Sequence, residues 1–124
     1  MHTPWGQADS SHAVAQGVYI VSTPSHGGVM VAKATVHAKR LALSERAMTL
    51  AMSWGSYYCF EEDCLSAVFF YEQPDVFRYA MQHAPFLWLD GVERPEATDA
   101  EIRAVMLAIC RRWYPDQYRE EVAA

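Results

Sequence analysis

The chain has 124 residues and lacks any apolar run near the roughly 20 residues that a membrane-spanning helix needs. Residues 1 to 6 also lack the basic and apolar regions of a signal peptide, so we expect a cytoplasmic protein without membrane contact. Charged residues make up only 20% and hydrophobic residues 52% of the sequence. This composition excludes an intrinsically disordered chain and predicts a folded core.

Motifs for metal, phosphate or disulfide chemistry are also missing. Cys59, Cys64 and Cys110 are odd in number and lack the paired spacing of a zinc ribbon. Gly27 and Gly28 lack the longer glycine pattern and the Lys-Ser/Thr pair of a phosphate loop. We therefore expect reduced thiols, no cofactor, and no metal requirement for folding.

Charge is unevenly divided along the chain. Residues 1 to 62 contain as many acids as bases, so residues 63 to 124 carry the whole net charge of −5. An acidic surface repels phosphate backbones, which disfavours direct binding of DNA or RNA. A basic protein partner is easier to accommodate, and a homodimer is compatible with the sequence.

The pattern of elements predicts an α+β fold: a small antiparallel sheet with three to four covering helices. With no repeat and no linker, we expect one domain over residues 1 to 124. Residues 1 to 16 are polar and small, which predicts an irregular arm anchored by burial of Trp5. Residues 17 to 22 are rich in β-formers and predict the first strand. Residues 29 to 36 fit either a second strand of a hairpin or a short strand leading into a helix.

Helices are predicted at four places. Ser44 is a suitable N-cap for a helix over residues 44 to 54, and a second helix is expected over 61 to 72. Asp75 can cap a short third helix that ends before Pro85. Residues 86 to 89, followed by an Asp-Gly pair, read as a short strand and a turn.

The last helix has the clearest signal. Thr98 and Glu101 form a capping box, and the helix is expected over residues 98 to 113. Apolar residues at helical spacing predict one buried stripe: Ile102, Val105, Met106, Ile109 and Trp113.

Polar chemistry is concentrated in Glu61, Glu62, Asp63 and Cys64. The simplest interpretation is a charged helix start in front of a buried thiol. A mixed metal site would combine these groups with His26, but the spacing matches no tight ligand motif. A nucleophilic Cys64 would need His26 nearby, although adjacent carboxylates oppose formation of the thiolate.

The second polar segment is the loop that carries His26. A proline and two glycines constrain this loop, which favours a role in binding or catalysis over simple burial. The alternative is that Ser22, Thr23, Ser25 and His26 satisfy backbone groups in a tight turn. Because little chain separates the two segments, we expect the His26 loop to approach Glu61, Glu62 or Asp63.

Aromatic residues crowd the middle of the chain in greater number than one face of each helix can bury. We expect Phe70, Tyr71 and Tyr79 to form an exposed patch, of the kind enriched at protein interfaces.

The segments STPSHGG (residues 22 to 28) and YCFEEDC (residues 58 to 64) carry a resemblance. Residues 5 to 77 resemble a DUF7007-like family of small uncharacterised proteins on phages, plasmids and integrative elements, in which the second segment reads YEEDC; here Phe60 replaces the usual Tyr. The resemblance implies residence on a mobile element in a bacterial host cell, and supplies no catalytic residues.

Two classes of function follow. The first is a protein that binds a host protein, such as an anti-CRISPR or anti-restriction inhibitor. The second is a small hydrolase or transferase that uses His26 with Glu61, Glu62, Asp63 or Cys64. We favour the first class.

Overall fold

The computed structural model describes residues 1–83 and 96–122, and it has the predicted α+β fold. The strands are β1 (His2–Thr3), β2 (Gly6–Gln7), β3 (Ser10–Ala15), β4 (Val18–Ser22), β5 (Gly27–Ala32), β6 (Met52–Trp54) and β7 (Tyr57–Glu61). The helices are α1 (Lys33–His37), α2 (Glu45–Leu50), α3 (Leu65–Glu72), α4 (Pro74–His83), α5 (Asp99–Trp113) and α6 (Pro115–Tyr118). Within the described ranges, none of these helices is long and apolar enough to cross a bilayer.

Five strands form one antiparallel sheet in the order β3-β4-β5-β7-β6, and β1 pairs with β2 as a separate hairpin. Successive side chains of a strand point to opposite faces. Val29, Val31 and Phe60 therefore lie on the inner face, where they pack into the main core with residues of α3, α4 and α5. The inner face and the helices together bury most of the apolar side chains.

The outer face of the sheet has a smaller core. Val21, Met30 and Cys59 are fully buried there, and Trp5 of the β1–β2 hairpin packs against them. The predicted anchoring role of Trp5 is confirmed. The prediction of an irregular arm over residues 1 to 16 is wrong, because residues 10 to 15 form β3, whose backbone pairs with β4.

Both interpretations of residues 29 to 36 hold in part. β5 completes a hairpin with β4, and α1 follows it directly. The two-residue loop of the β6–β7 hairpin has Gly55 at its first position with φ of 55°. This is the residue that a type II′ turn prefers.

Two predicted helices are shorter than expected. Ser44 caps α2 as predicted, with its side chain accepting a hydrogen bond from the Ala47 N–H, but α2 ends at Leu50. Trp54 lies in β6 because pairing with β7 overrides the helical spacing of this segment. Similarly, Glu61 ends a strand and residues 62 to 64 form a turn, so the helix expected from 61 begins at Leu65.

The capping box of Thr98 and Glu101 is confirmed, and α5 follows it. The predicted stripe is partly wrong. Ile102 and Met106 are buried, whereas Trp113 is 57% exposed and faces away from the core. The helix is rotated so that Leu107 and Cys110 complete its buried face. The strand expected over residues 86 to 89 lies outside the described residues.

We expect Ile102→Ala to lower the free energy of unfolding by about 2 to 5 kcal/mol, because it leaves a cavity in the main core. Ile109→Ala is the matched control: the substitution is the same and the helix is the same, but the site is only half-buried. Its loss should be about half as large. Urea denaturation measures both, and equal losses would contradict the observed rotation of α5.

Candidate functional site

The loop between β4 and β5 holds His26, and Thr23 closes it. The Thr23 N–H and hydroxyl each donate to the His26 carbonyl at 2.7 Å, and the hydroxyl accepts from the His26 N–H at 3.1 Å. Thr23 is 6% exposed. In the described ranges the side chains of Ser22 and Ser25 make no hydrogen bond. Thr23 therefore has the expected structural role and sets the position of the histidine.

The register of the sheet brings this loop to the acidic segment. Gly28 pairs with Glu61, and the Glu62 N–H continues the ladder by donating to the Gly27 carbonyl at 2.9 Å. The His26 Nδ1 then lies 3.2 Å from Glu61 Oε1 and 3.6 Å from Glu62 Oε1. The predicted approach of the two segments is confirmed, and strand pairing, not a helix start, produces it.

The chemistry available to this cluster is limited. The His26 side chain is 47% exposed, so its ion pairs with the carboxylates contribute little stability. A carboxylate that orients an imidazole is one part of an acid–base site. A substrate pocket and a nucleophile would be further parts, and His26 lines neither the groove beside α1 and α2 nor the cleft formed by residues 116 to 122. Asp63 is exposed in the turn that follows.

Cys64 points to a different partner. Its Sγ lies 3.3 Å from the Tyr114 hydroxyl, which links the start of α3 to the junction of α5 and α6. Burial first, and then the hydrogen bond to Cys64, raise the pKa of Tyr114. No hydrogen bond joins Cys64 to His26 within the described part of the chain. His26 is therefore not placed to activate this thiol.

The other two thiols are core residues. Cys59 and Cys110 are fully buried, and burial raises the pKa of both to about 12. They stay protonated at neutral pH and are poor nucleophiles. Across residues 1–83 and 96–122, no group of three or more His, Cys, Asp and Glu side chains has the geometry of a metal site.

The predicted aromatic patch does not form. Phe70 is fully buried and Tyr71 is 8% exposed, because the α3 helix packs against β7 on one side and α5 on the other. Only Tyr79 is exposed, and it contacts His83 on the next turn of α4 with ring centroids 4.2 Å apart.

A different exposed patch lies on the outer face of the sheet. It contains residues of β1, β4, β6 and β7, and we call it the outer-face patch: His2, Tyr19, Met52, Trp54 and Tyr57. The His2 and Trp54 rings lie 5.9 Å apart, and the Tyr19 and Tyr57 rings 6.4 Å apart. Met52 and Trp54 are 45% and 37% exposed. The Gly55-Ser56 pair is the sequence signal for the β6–β7 hairpin, and pairing across it places Trp54 and Tyr57 on one face of the sheet.

Gly28 explains why the polar loop ends in two glycines. A Cβ at this position would meet the Phe60 carbonyl and the Trp5 ring, both at 2.5 Å. The missing side chain therefore lets Trp5 lie directly on the sheet. The second glycine of the motif has a packing role and is not a ligand cradle.

The fold and the site together define a small α+β domain with an exposed histidine–carboxylate cluster and the outer-face patch. The chain matches a family model described as a domain of unknown function, DUF7007, over residues 1–124, and it belongs to that family. The match extends beyond residues 5 to 77, where the resemblance was seen. No curated protein and no solved structure matches the chain.

We expect Gly28→Ala to lower the free energy of unfolding by about 1 to 3 kcal/mol, because the added methyl group overpacks the contact between Trp5 and the sheet. Ser25→Ala, in the exposed part of the same loop, is the control and should change stability by less than about 0.5 kcal/mol. Chemical denaturation compares the two variants. A Gly28→Ala protein as stable as the parent would contradict the packing role of Gly28 against Trp5 and the Phe60 carbonyl.

Proposed function

We propose that this protein acts by binding another protein, and that the outer-face patch is the centre of the interface. The observation that carries the proposal is the exposure of Met52 and Trp54, 45% and 37%, beside two half-buried tyrosines. Aromatic residues and methionine are enriched in the cores of protein interfaces, and tryptophan is among the commonest energetic hot spots.

The position of the patch in the sheet supports the same function. β6 is an edge strand of three residues, all of them exposed. Ser53 stands in a non-hydrogen-bonded pair with Tyr58, because Trp54 and Tyr57 flank the two-residue turn. The backbone N–H and carbonyl of Ser53 therefore point outward from the open edge of the sheet, away from β7. An extended segment of a partner can pair there while its side chains contact Met52 and Trp54.

Charge defines the chemistry of the partner. Glu61 lies on the same face of β7 as Tyr57, about 13 Å along the strand at about 3.3 Å per residue. Glu62 and Asp63 follow it, and the whole chain has a net charge of −5. A partner that presents an apolar side chain to the patch and basic side chains to the acids is complementary to this face.

The finer form of the proposal is that the partner belongs to the defence machinery of a bacterial host, and that the protein is cytoplasmic and acts for a phage or plasmid. The resemblance of the two sequence motifs and the small, acidic character of the chain support this form. Direct binding of nucleic acid is disfavoured by the same charge.

Affinity capture from a bacterial lysate tests the role of the patch when it compares variants. Trp54→Ala should reduce recovery of a captured protein by about 30-fold or more, because loss of a hot spot costs about 2 kcal/mol or more of binding free energy. Trp113→Ala is the matched control, since Trp113 is exposed on α5, outside the patch. Both variants should melt like the parent. Equal recovery with Trp54→Ala and Trp113→Ala would refute the proposal.

A second candidate function is a hydrolase or transferase, and the 3.2 Å contact between His26 and Glu61 is the observation that favours it. His26→Ala separates the two candidates. If the outer-face patch carries function, this variant keeps most of its activity in a phage-infection assay. Wild-type melting together with abolished activity would favour catalysis by His26.

A further inference from the structure

A groove on the helical side of the molecule is separate from the outer-face patch. It has a volume of about 1070 Å3 and lies among α1, the α1–α2 connection, α2, the end of α3, one residue of α5 and the last described residues. This volume suits a small-molecule site. Its apolar lining includes Val36, Leu41, Leu43, Met48, Tyr71 and Val122.

The acidic groups that line the groove already have partners. Glu72 accepts hydrogen bonds from the Ser44 N–H at 2.8 Å and from the Ser44 hydroxyl. The Glu121 Oε2 atom is 2.6 Å from Arg46 Nη1, and the Glu121 carboxylate also accepts a hydrogen bond from the Tyr71 hydroxyl at 3.2 Å. The hydrogen bond to Arg46 lowers the pKa of Glu121, so this carboxylate is ionised and paired at neutral pH.

Two cations that line the groove have no such partner among the described residues. Lys39 and Arg103 both line the groove, and in residues 1–83 and 96–122 neither side chain has an ion pair or a hydrogen bond. Arg103 is half-buried on α5. Lys39, Arg46 and Arg103 face two carboxylates, so the lining carries one surplus positive charge beside its apolar residues, although the whole chain is acidic.

Lys39 has a backbone conformation that residues other than glycine rarely adopt. Lys39 has φ of 59°, and it is the only non-glycine residue with positive φ in the described ranges. The Lys39 N–H donates to the Val36 carbonyl and the Arg40 N–H to the Thr35 carbonyl, which is the Schellman arrangement at the end of α1. Glycine is favoured at this position because it has no Cβ. A lysine here costs stability, and it places an ammonium group on the groove.

From this combination we infer that the groove is a binding site for a small apolar molecule that bears a carboxylate. The apolar body lies against the leucine, valine and methionine side chains. The carboxylate pairs with Lys39 and Arg103, and the guanidinium fork of Arg103 suits a planar anion of this kind.

Decanoate is a suitable probe, and decanol is its uncharged match. Isothermal titration should show that decanoate binds at least tenfold more tightly than decanol. Arg103→Gln should weaken decanoate binding by about tenfold or more, whereas Arg40→Gln should not, because Arg40 adjoins Lys39 but does not line the groove. Equal affinity for the two probes, or no measurable binding of decanoate, would overturn the inference.

Lys39→Gly separates binding from stability. The substitution places glycine at a positive φ, so it should raise the melting temperature of the free protein while it weakens decanoate binding by several-fold. If Lys39 had only a structural role, the substitution would raise the melting temperature and leave decanoate binding unchanged. Unchanged decanoate affinity in this stabilised variant would therefore also overturn the inference.

Discussion

The pairing of β5 with β7 is the constraint on which the other features depend. β5 is central in the sheet, and its residues 27 to 31 are all buried. Its pairing fixes Gly28 opposite Glu61, so the two polar segments meet at one end of the sheet. A shift of one residue in this register would turn Phe60 to the outer face and Cys59 to the main core. The position of the polar cluster and the composition of both cores are thus set together.

The same register divides the molecule into two unequal sides. The inner face carries the large core with α3, α4 and α5, whereas on the outer face three hydrophobic side chains of the described residues are fully buried. Trp5 covers the outer face above Gly28, at the end of the sheet where Gly28 pairs with Glu61. Trp54 and Tyr57 of the outer-face patch lie at the β6–β7 turn. The side with less burial is therefore the side with more surface for recognition.

Local signals in the sequence predicted the parts of the fold that depend on local physics. The capping box of α5 and the Ser44 cap involve residues a few positions apart, and both are present; the β4–β5 hairpin, one of the two interpretations of residues 29 to 36, is present as well. The other predictions failed where pairing or packing between elements overrides the pattern within one segment. Trp54 has helical spacing from Ala47, yet pairing with β7 makes it a strand residue. Phe70 and Tyr71 are buried because α3 contacts the sheet and α5 on opposite sides, which no pattern within α3 reveals.

The outer cover and the inner core differ in how firmly they are held. The β1–β2 hairpin has strands of two residues each, and the Trp5 Nε1–H is buried without a hydrogen-bond partner in the described part of the chain. An unsatisfied buried donor costs free energy, so packing of the indole on Val21, Met30 and Cys59 must offset that cost. Short pairing and few buried contacts are typical of the segments that open most easily. The outer face can therefore adapt its surface near Trp5 while the inner core, with its larger buried cluster, keeps the strands and the patch in position.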